Sequence, residues 1–370
     1  MKNGNTFHLD GDRIARLCDR ASTATAADIA AVLGQEHLSP DDLAILLSPA
    51  MDDALFARLA AESARLTRRR FGYALSLYIP LYYDNRCVNR CRYCGFNAGN
   101  TVPRVTLSRE EILQEGRAIR AHGFTNLLLV AGEHPQSSDP ARLVPIIRDL
   151  HDSGFRSVSI EIAPLEEDAY RRLVTEAHLD GLYVYQETYQ RDTYLAEHPG
   201  GPKSDPDRRL ATPERAARAG VAKIGIGFLL GLYDWRFETL ALAQHLAYLQ
   251  KYHWQTEFSL SFPRIRKAEG VAGGPHPVGD REFLQMVCAL RLLFPETPMS
   301  LSTRESPAFR DAAAPIGFTS LSAGSSTVPG GYGARKGELA QFEVEDTRGP
   351  AEVASALKAR GFDPVWKDWE

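Results

Sequence analysis

The sequence predicts an α/β protein built on a TIM-type (β/α)8 barrel, with a helical extension before the barrel and a second extension packed on it afterwards. Two observations carry this. Eight short runs of apolar and β-branched residues lie between residues 73 and 325, and amphipathic helical stretches separate them. Eight such units in about 250 residues is the size of a (β/α)8 barrel. A third observation disfavours the open doubly wound sheet, since no Gly-x-Gly-x-x-Gly follows the first run. The expected divisions are 1–70 for the helical extension, 71–325 for the barrel and 326–370 for the C-terminal extension.

Residues 10–70 read as helices. Ser39-Pro40-Asp41 is a helix start, and "DALFARLAAESARLTRRRFG" places apolar residues three and four apart. Arg68-Arg69-Arg70 reads as a solvated helix end. The strand candidates are "YALSLYIPLYY" (73–83), "NLLLVAGE" (126–133), "SVSIEIAPL" (157–165) and "GLYVYQE" (181–187), then "KIGIGFLLG" (223–231), "TEFSLSFPRI" (256–265), "PMSLSTRE" (298–305) and "FTSLSAGS" (318–325). Among the intervening helices, "SREEILQEGRAIRAHG" (108–123) opens on a capping box, Ser108 with Glu111. "DPARLVPIIRDLHDSG", "TPERAARAG" and "RFETLALAQHLAYLQKY" are others. Beyond residue 326 the chain is turn-rich and polar until "PAEVASALKARG" forms one more helix.

The composition, 44% hydrophobic and 24% charged, is that of an ordinary globular protein. A formal net charge of −4 argues against a nucleic acid or a membrane surface as partner. No apolar run approaches the roughly 20 residues of a membrane span. The start, "MKNGNTFHLDGDRIARL", lacks the apolar centre of a signal peptide. Five cysteines in 370 residues do not make a disulfide framework, which places the chain in the reducing cytoplasm. Cys18 and Cys288 lie in helix-like surroundings and read as small buried hydrophobes.

The other three, Cys87, Cys91 and Cys94, fall within eight residues in "RCVNRCRYCGFNAGN", directly after the first strand. Structural zinc usually draws on two such clusters, and here there is one. A redox Cys-x-x-Cys pair leaves the third cysteine over. A [4Fe-4S] cluster has four irons, so three thiolates leave one iron open to a small molecule.

Chemistry on a (β/α)8 barrel sits at the C-terminal ends of the strands. The second run ends in Gly132-Glu133-His134, the third in Glu161, and the fourth in Tyr185-Gln186-Glu187-Thr188. The sixth ends in Arg264 and Arg266, the seventh in Arg304-Glu305 and the eighth in Ser322 and Ser325. So many polar ends after apolar runs describe a polar ring around one pocket. Arg304 suits a bidentate grip on a carboxylate, and its alternative is a salt bridge with Glu305. Ser322 can add a hydroxyl to that carboxylate. His134 reads as readily as a helix cap as a reacting group. Gly225 and Gly227 mark either bulges or close approach to a ligand.

Cys-x3-Cys-x2-Cys in a loop after the first strand of a barrel resembles the radical S-adenosyl-L-methionine (SAM) enzymes. "RCRYCGF", "LLLVAGEH", "VYQETY", "SFPRIR", "LSTRESP", "SAGSSTVPGGY" and "PVWKDWE" extend the resemblance to the aromatic amino-acid lyases of that superfamily, from about residue 70 to the end. The resemblance implies that Cys87, Cys91 and Cys94 hold a [4Fe-4S] cluster whose open iron binds the methionine end of SAM. It implies that Tyr93 lies near the adenine and that Gly132 and Glu133 receive the methionine amine. Glu161 would meet the ribose hydroxyls or that amine, and Gly225 and Gly227 the adenosine. Gln186, Glu187 and Arg264 complete the implied cofactor-binding set, with Arg304 and Ser322 on the substrate. The implied reaction is the radical cleavage of the Cα–Cβ bond of L-tyrosine to 2-iminoacetate and 4-cresol, for thiamine thiazole formation. SAM is consumed to 5′-deoxyadenosine and methionine. The implied partners are a thiazole synthase and a flavodoxin- or ferredoxin-type electron donor. A hydrogenase-maturation lyase would need further cysteines after Cys288, and there are none. A tryptophan lyase of 3-methyl-2-indolic acid formation shares most of the barrel motifs. A zinc-stabilised barrel without catalysis is the alternative of another class.

Overall fold

The structure, a computed structural model, describes residues 6–266, 268, 274–333 and 340–366. Ten strands form one parallel sheet: β1 (Ala74–Tyr78), β2 (Pro80–Asp84), β3 (Asn126–Ala131), β4 (Ser157–Glu161), β5 (Gly181–Tyr183), β6 (Lys223–Gly227), β7 (Glu257–Ser261), β8 (Met299–Leu301), β9 (Ser320–Ser322) and β10 (Asp363–Val365). Their order is β10-β1-β9-β8-β7-β6-β5-β4-β3-β2. The eight runs read from the sequence are β1 to β9, because the first run forms two strands.

That division is what curls the sheet into a barrel. β1 pairs with β9, Ser76 opposite Ser320, whereas β2 pairs with β3, Leu81 opposite Leu129. One continuous stretch thus meets the last barrel strand with its first half and β3 with its second. Ile79 stands between the halves, and its carbonyl already accepts from Leu128 N at 3.1 Å. The switch leaves a notch between β1 and the start of β3. β10 fills it by pairing with β1, Ala74 opposite Asp363. The Trp366 carbonyl then accepts both N and Oγ1 of Thr125 at 3.1 Å, and its indole meets Phe124 edge-on at 5.1 Å. Most of the terminal "VWKDW" lies outside the described residues.

Among the described residues, four helices precede the barrel: Gly11–Thr23, Ala26–Val32, Pro40–Leu46 and Asp53–Phe71. Ser39 caps the third through Asp42. Arg68, Arg69 and Arg70 occupy the last turn of the fourth, where cations suit the helix dipole. Outside the strands lie helices such as Arg109–Ala121, capped as expected by Ser108 and Glu111, Pro140–Asp152, Trp235–Tyr252 and Asp280–Leu293. Their apolar faces, Ile112 and Ile119 for example, are fully buried against the sheet. Cys288 is buried in that layer and Cys18 packs against it. No helix among the described residues is long and apolar enough to cross a membrane.

Replacing Trp366 by Ala removes the ring that seals the notch. The expected cost is about 2 kcal/mol, read as a lower urea midpoint with an unchanged slope. An unchanged midpoint would mean that β10 contributes nothing to barrel closure.

Candidate active site

The segment after β2 is held against the end of β3 from both sides. The fully buried Asp84 carboxylate accepts from Arg86 N (2.8 Å), the Arg86 guanidinium (2.9 Å), Thr106 Oγ1 (2.9 Å) and Ser137 Oγ (2.5 Å). Backbone bonds run from Gly132 N to Asp84 O and from Val88 N to Glu133 O. A Cβ on Gly132 would sit 2.3 Å from the Arg86 carbonyl oxygen, so only glycine lets the loop lie this close. Arg104 braces the loop from within by donating to the carbonyls of Asn85, Phe96 and Asn97. The segment after β5 clasps it from outside through Arg90 N to Gly200 O and Lys203 N to Asn89 Oδ1.

Held in this way, Cys87, Cys91 and Cys94 line one cavity with Tyr93, Gly132, Glu133, Glu161, Glu187 and Arg304. Among the described residues, no three His, Cys, Asp or Glu side chains converge tightly enough to hold one metal ion. Three soft thiols around a common space are a donor set suited to an iron–sulfur cluster with one corner left open. Burial pushes the Cys87 thiol up to about 11, and those of Cys91 and Cys94 upward as well. A bound metal would supply the positive charge that favours their thiolate forms.

Beside the thiols lies a buried quartet of two acids and two bases. Arg209 Nη1 meets Glu133 Oε1 at 2.7 Å and Lys203 Nζ meets Glu187 Oε1 at 2.6 Å. Cross-contacts of 3.8 Å (Lys203–Glu133) and 3.5 Å (Arg209–Glu187) close the square. Burial opposes the Glu133 charge, but Arg209 and Lys203 outweigh it and hold the carboxyl below its usual range. Asn89 Nδ2 donates to the other Glu133 oxygen at 2.8 Å. Glu187 has φ 70°, a left-handed backbone uncommon outside glycine, of the kind that marks a constrained functional position. Next to the quartet, Tyr93 Oη lies 2.6 Å from His198 Nε2, and His198 Nδ1 lies 2.7 Å from Tyr194 O. Burial, and then Lys203, push His198 down to about 3, so the neutral ring accepts a hydrogen bond from Tyr93 Oη.

Glu161 and Arg304 face the same cavity without a direct ion-pair contact among the described residues. Burial, and then the Glu187 charge, raise the Glu161 carboxyl to about 7. Arg304 is not paired with Glu305, which instead binds Arg264 and Arg266. Its guanidinium lies 3.4 Å from the Phe342 ring centre and donates to Arg264 O at 3.3 Å. Both Glu161 and Arg304 also line an adjoining cavity with Tyr82, Tyr185, Ser322 and Ser325. The Ser322 hydroxyl accepts from Thr303 N at 2.9 Å. Arg310, fully buried, binds Ser322 O and Asp346 and so ties the C-terminal segment beneath Arg304.

Four of the residues expected around the cofactor lie outside this lining. Gln186 is buried and turned towards Pro206 O at 3.3 Å. Gly225 makes room for an aromatic ring and Gly227 for the backbone of the neighbouring strand. A Cβ on the first would lie 2.2 Å from the Tyr183 ring, and one on the second 1.9 Å from the Ser261 carbonyl oxygen. Arg264 binds Glu305 and Asp280 and lies over Phe283 and Phe309. His134 serves a turn, its Nδ1 accepting from Gln136 N at 3.3 Å. Sequence reading missed Lys203, Arg209, Asn89, Gln341 and Phe342. The first two stand in "GGPKSDPDRRL", which carries no periodicity, and only the unbalanced Glu133 and Glu187 hinted at nearby cations.

Fold and site together define a barrel with three thiols at the C-terminal ends of its strands, beside a charged pocket. Residues 82–243 match the radical SAM superfamily, and residues 261–363 match the biotin and thiamin synthesis associated domain. The chain is 46% identical over 366 residues to the 2-iminoacetate synthase of Escherichia coli (strain K12), covering 98% of this chain and 95% of that one. The 2-iminoacetate synthase of Salmonella typhimurium is 46% identical over 355 residues, with 95% and 93% covered. The crystal structure of HydG, a maturase of the [FeFe]-hydrogenase, superposes with a TM-score of 0.91 at 33% identity, over 97% of this chain and 80% of that one. The chain belongs to the 2-iminoacetate synthase family of radical SAM enzymes.

The raised Glu161 carboxyl has a consequence for the unliganded protein. A group whose folded value lies above its unfolded one contributes stability below the unfolded value and loses it as pH rises through the folded one. Glu161→Gln is therefore expected to gain in melting temperature over the parent as pH rises from about 5 to about 8. A difference that does not vary with pH would show Glu161 to be an ordinary ionised carboxylate.

Proposed function

We propose that the protein is a radical SAM lyase that cleaves the Cα–Cβ bond of L-tyrosine to 2-iminoacetate and 4-cresol, supplying the carbon–nitrogen unit of the thiamine thiazole. Sequence identity across nearly the whole chain supports the reaction. The observation that carries the substrate reading is Arg304, a half-buried guanidinium with no carboxylate contact among the described residues, at the junction of the two cavities. A guanidinium drawn partly out of water without an acid beside it favours a ligand that supplies one. An amino-acid carboxylate is such a ligand, and the planar guanidinium fork matches it.

Cys87, Cys91 and Cys94 would hold the cluster, which together with SAM supplies a hydrogen-abstracting radical by one-electron cleavage. The residues of the chain then have separable tasks. Glu133, braced by Arg209 and Asn89, would accept the SAM ammonium. Tyr93, turned by His198, would flank the adenine, and Glu161 and Glu187 would meet the ribose or the methionine end. Arg304 and Ser322 would fix the tyrosine carboxylate, so that the amine stands near the radical carbon. Tyr82, Tyr183 and Tyr185 would enclose the phenol ring and exclude water. In this reading residues 71–325 carry the chemistry, the helices of 1–70 buttress it and 326–370 supply part of its cover. A thiazole synthase is the proposed consumer of the imine, a flavodoxin or ferredoxin the electron donor, and the cytoplasm the compartment.

Reconstituted without oxygen, the protein should hold about four irons and four sulfides per chain. Ala at any of the three cysteines should abolish SAM cleavage. Zinc in place of iron would defeat the reading. Glu133→Ala should keep the iron and weaken SAM binding by about 1.5–3 kcal/mol.

Anaerobic turnover with each aromatic amino acid separates the tyrosine reading from tryptophan cleavage. In Arg304→Ala the ratio of 4-cresol to 5′-deoxyadenosine should collapse while cluster and SAM binding persist, and Arg304→Lys should recover little. A normal cresol yield would remove Arg304 from the substrate site.

A further inference from the structure

A hydrogen bond to a cluster's sulfur offsets the negative charge that arrives with an electron, so the groups around the thiols help to set the reduction potential. Two of the three thiols meet backbone donors. Asn89 N lies 3.4 Å from Cys87 Sγ, and Phe96 N donates to the Cys94 sulfur. Cys94 has a further donor, a side chain from near the other end of the chain. Gln341 Nε2 lies 3.7 Å from its sulfur.

That amide is held in one orientation. Tyr82 Oη donates to Gln341 Oε1 at 2.7 Å, which leaves the NH2 end for the sulfur. A thiolate accepts and cannot donate, so both neighbours ask for the same orientation. The backbone is fixed as well. Gly95 N donates to Gln341 O at 3.2 Å, and Gln341 N to Thr327 O at 3.2 Å. A Cβ on Gly95 would stand 2.9 Å from the Gln341 carbonyl oxygen, so the glycine after Cys94 lets the two segments touch. The next residue, Phe342, stacks on Arg304. Two consecutive residues thus roof the cavity that holds the thiols and Arg304.

We propose that Gln341 tunes the cluster: its amide, turned by Tyr82, donates to the Cys94 sulfur, stabilises the reduced state and raises the reduction potential. The inference rests on the reading of Cys87, Cys91 and Cys94 as cluster ligands. Its consequence is that an electron enters readily only beneath a seated C-terminal segment. With the roof lifted the donor is gone, and SAM is spared cleavage while no substrate can be held.

The test is an anaerobic redox titration of the reconstituted full chain without SAM, read from the EPR signal of the reduced cluster. In Gln341→Leu the equilibrium constant for reduction should fall about threefold, a shift of roughly 28 mV to lower potential at about 59 mV per tenfold for one electron. Iron and sulfide content should match the parent. Tyr82→Phe keeps the ring but frees the amide to turn, and should shift the potential the same way by a smaller amount. It carries the test where leucine is not tolerated. A purely structural role gives a different result, since a loosened roof admits water to the sulfurs without lowering the potential. An unchanged or higher potential in a folded, fully loaded variant overturns the proposal. Zinc or negligible iron in the reconstituted parent overturns the cluster reading instead.

Discussion

The carboxylate of Asp84, fully buried at the end of β2, binds three separate stretches of chain. Arg86 belongs to the cysteine loop, Thr106 to the segment that returns from it, and Ser137 to the loop after β3. A buried carboxylate is tolerated only when its oxygens are filled, and here Arg86 supplies the countercharge. Breaking such an arrangement costs about 3–5 kcal/mol. The cysteine loop has no regular secondary structure of its own. Its shape is dictated by what Asp84 and Gly132 allow, and the thiols stand where they do as a result.

The quartet of Glu133, Glu187, Lys203 and Arg209 extends the same logic into the cavity. Each charge is held by two partners of opposite sign, so the polar groups are fixed before any ligand arrives. Glu161 and Arg304 are the exceptions, half-buried in the same cavity without such contacts. The site is therefore rigid where it would hold the cofactor and unsatisfied where a ligand has yet to enter. Preorganised charge of this kind costs no rearrangement at the moment of reaction.

Much of this could be read from the sequence, for reasons that also explain the gaps. Strand ends are visible because apolar runs stop abruptly, which is how Glu133, Glu161 and Arg304 were singled out. The cysteines announce themselves by spacing. The switch at Ile79 was not visible, since both halves of the run have the same alternating character and only the partners differ. β10 is three residues long and gains its identity from the notch it fills. Lys203 and Arg209 sit in a loop whose residues look solvated until the fold turns them inward. Gly225 and Gly227 look like places for a ligand, and the space they leave belongs to the Tyr183 ring and the Ser261 backbone. Arg264, at a strand end like Arg304, was indistinguishable from it until Glu305 and Asp280 were seen to occupy its guanidinium.

The pairing of β10 with β1 joins residue 74 to residue 363. During synthesis the first barrel strand leaves the ribosome with both flanks open; β9 fills one only from residue 320 and β10 the other only from residue 363. Contacts of such long sequence separation form late. The helices and inner strands can collapse earlier, but the ring cannot be sealed by any nascent fragment. Gln341 and Phe342, which roof the thiols, also arrive about 250 residues after the cysteine loop. The order of translation thus leaves that loop uncovered while the rest of the barrel is made, and a chain cut before residue 363 would carry a barrel with an open seam.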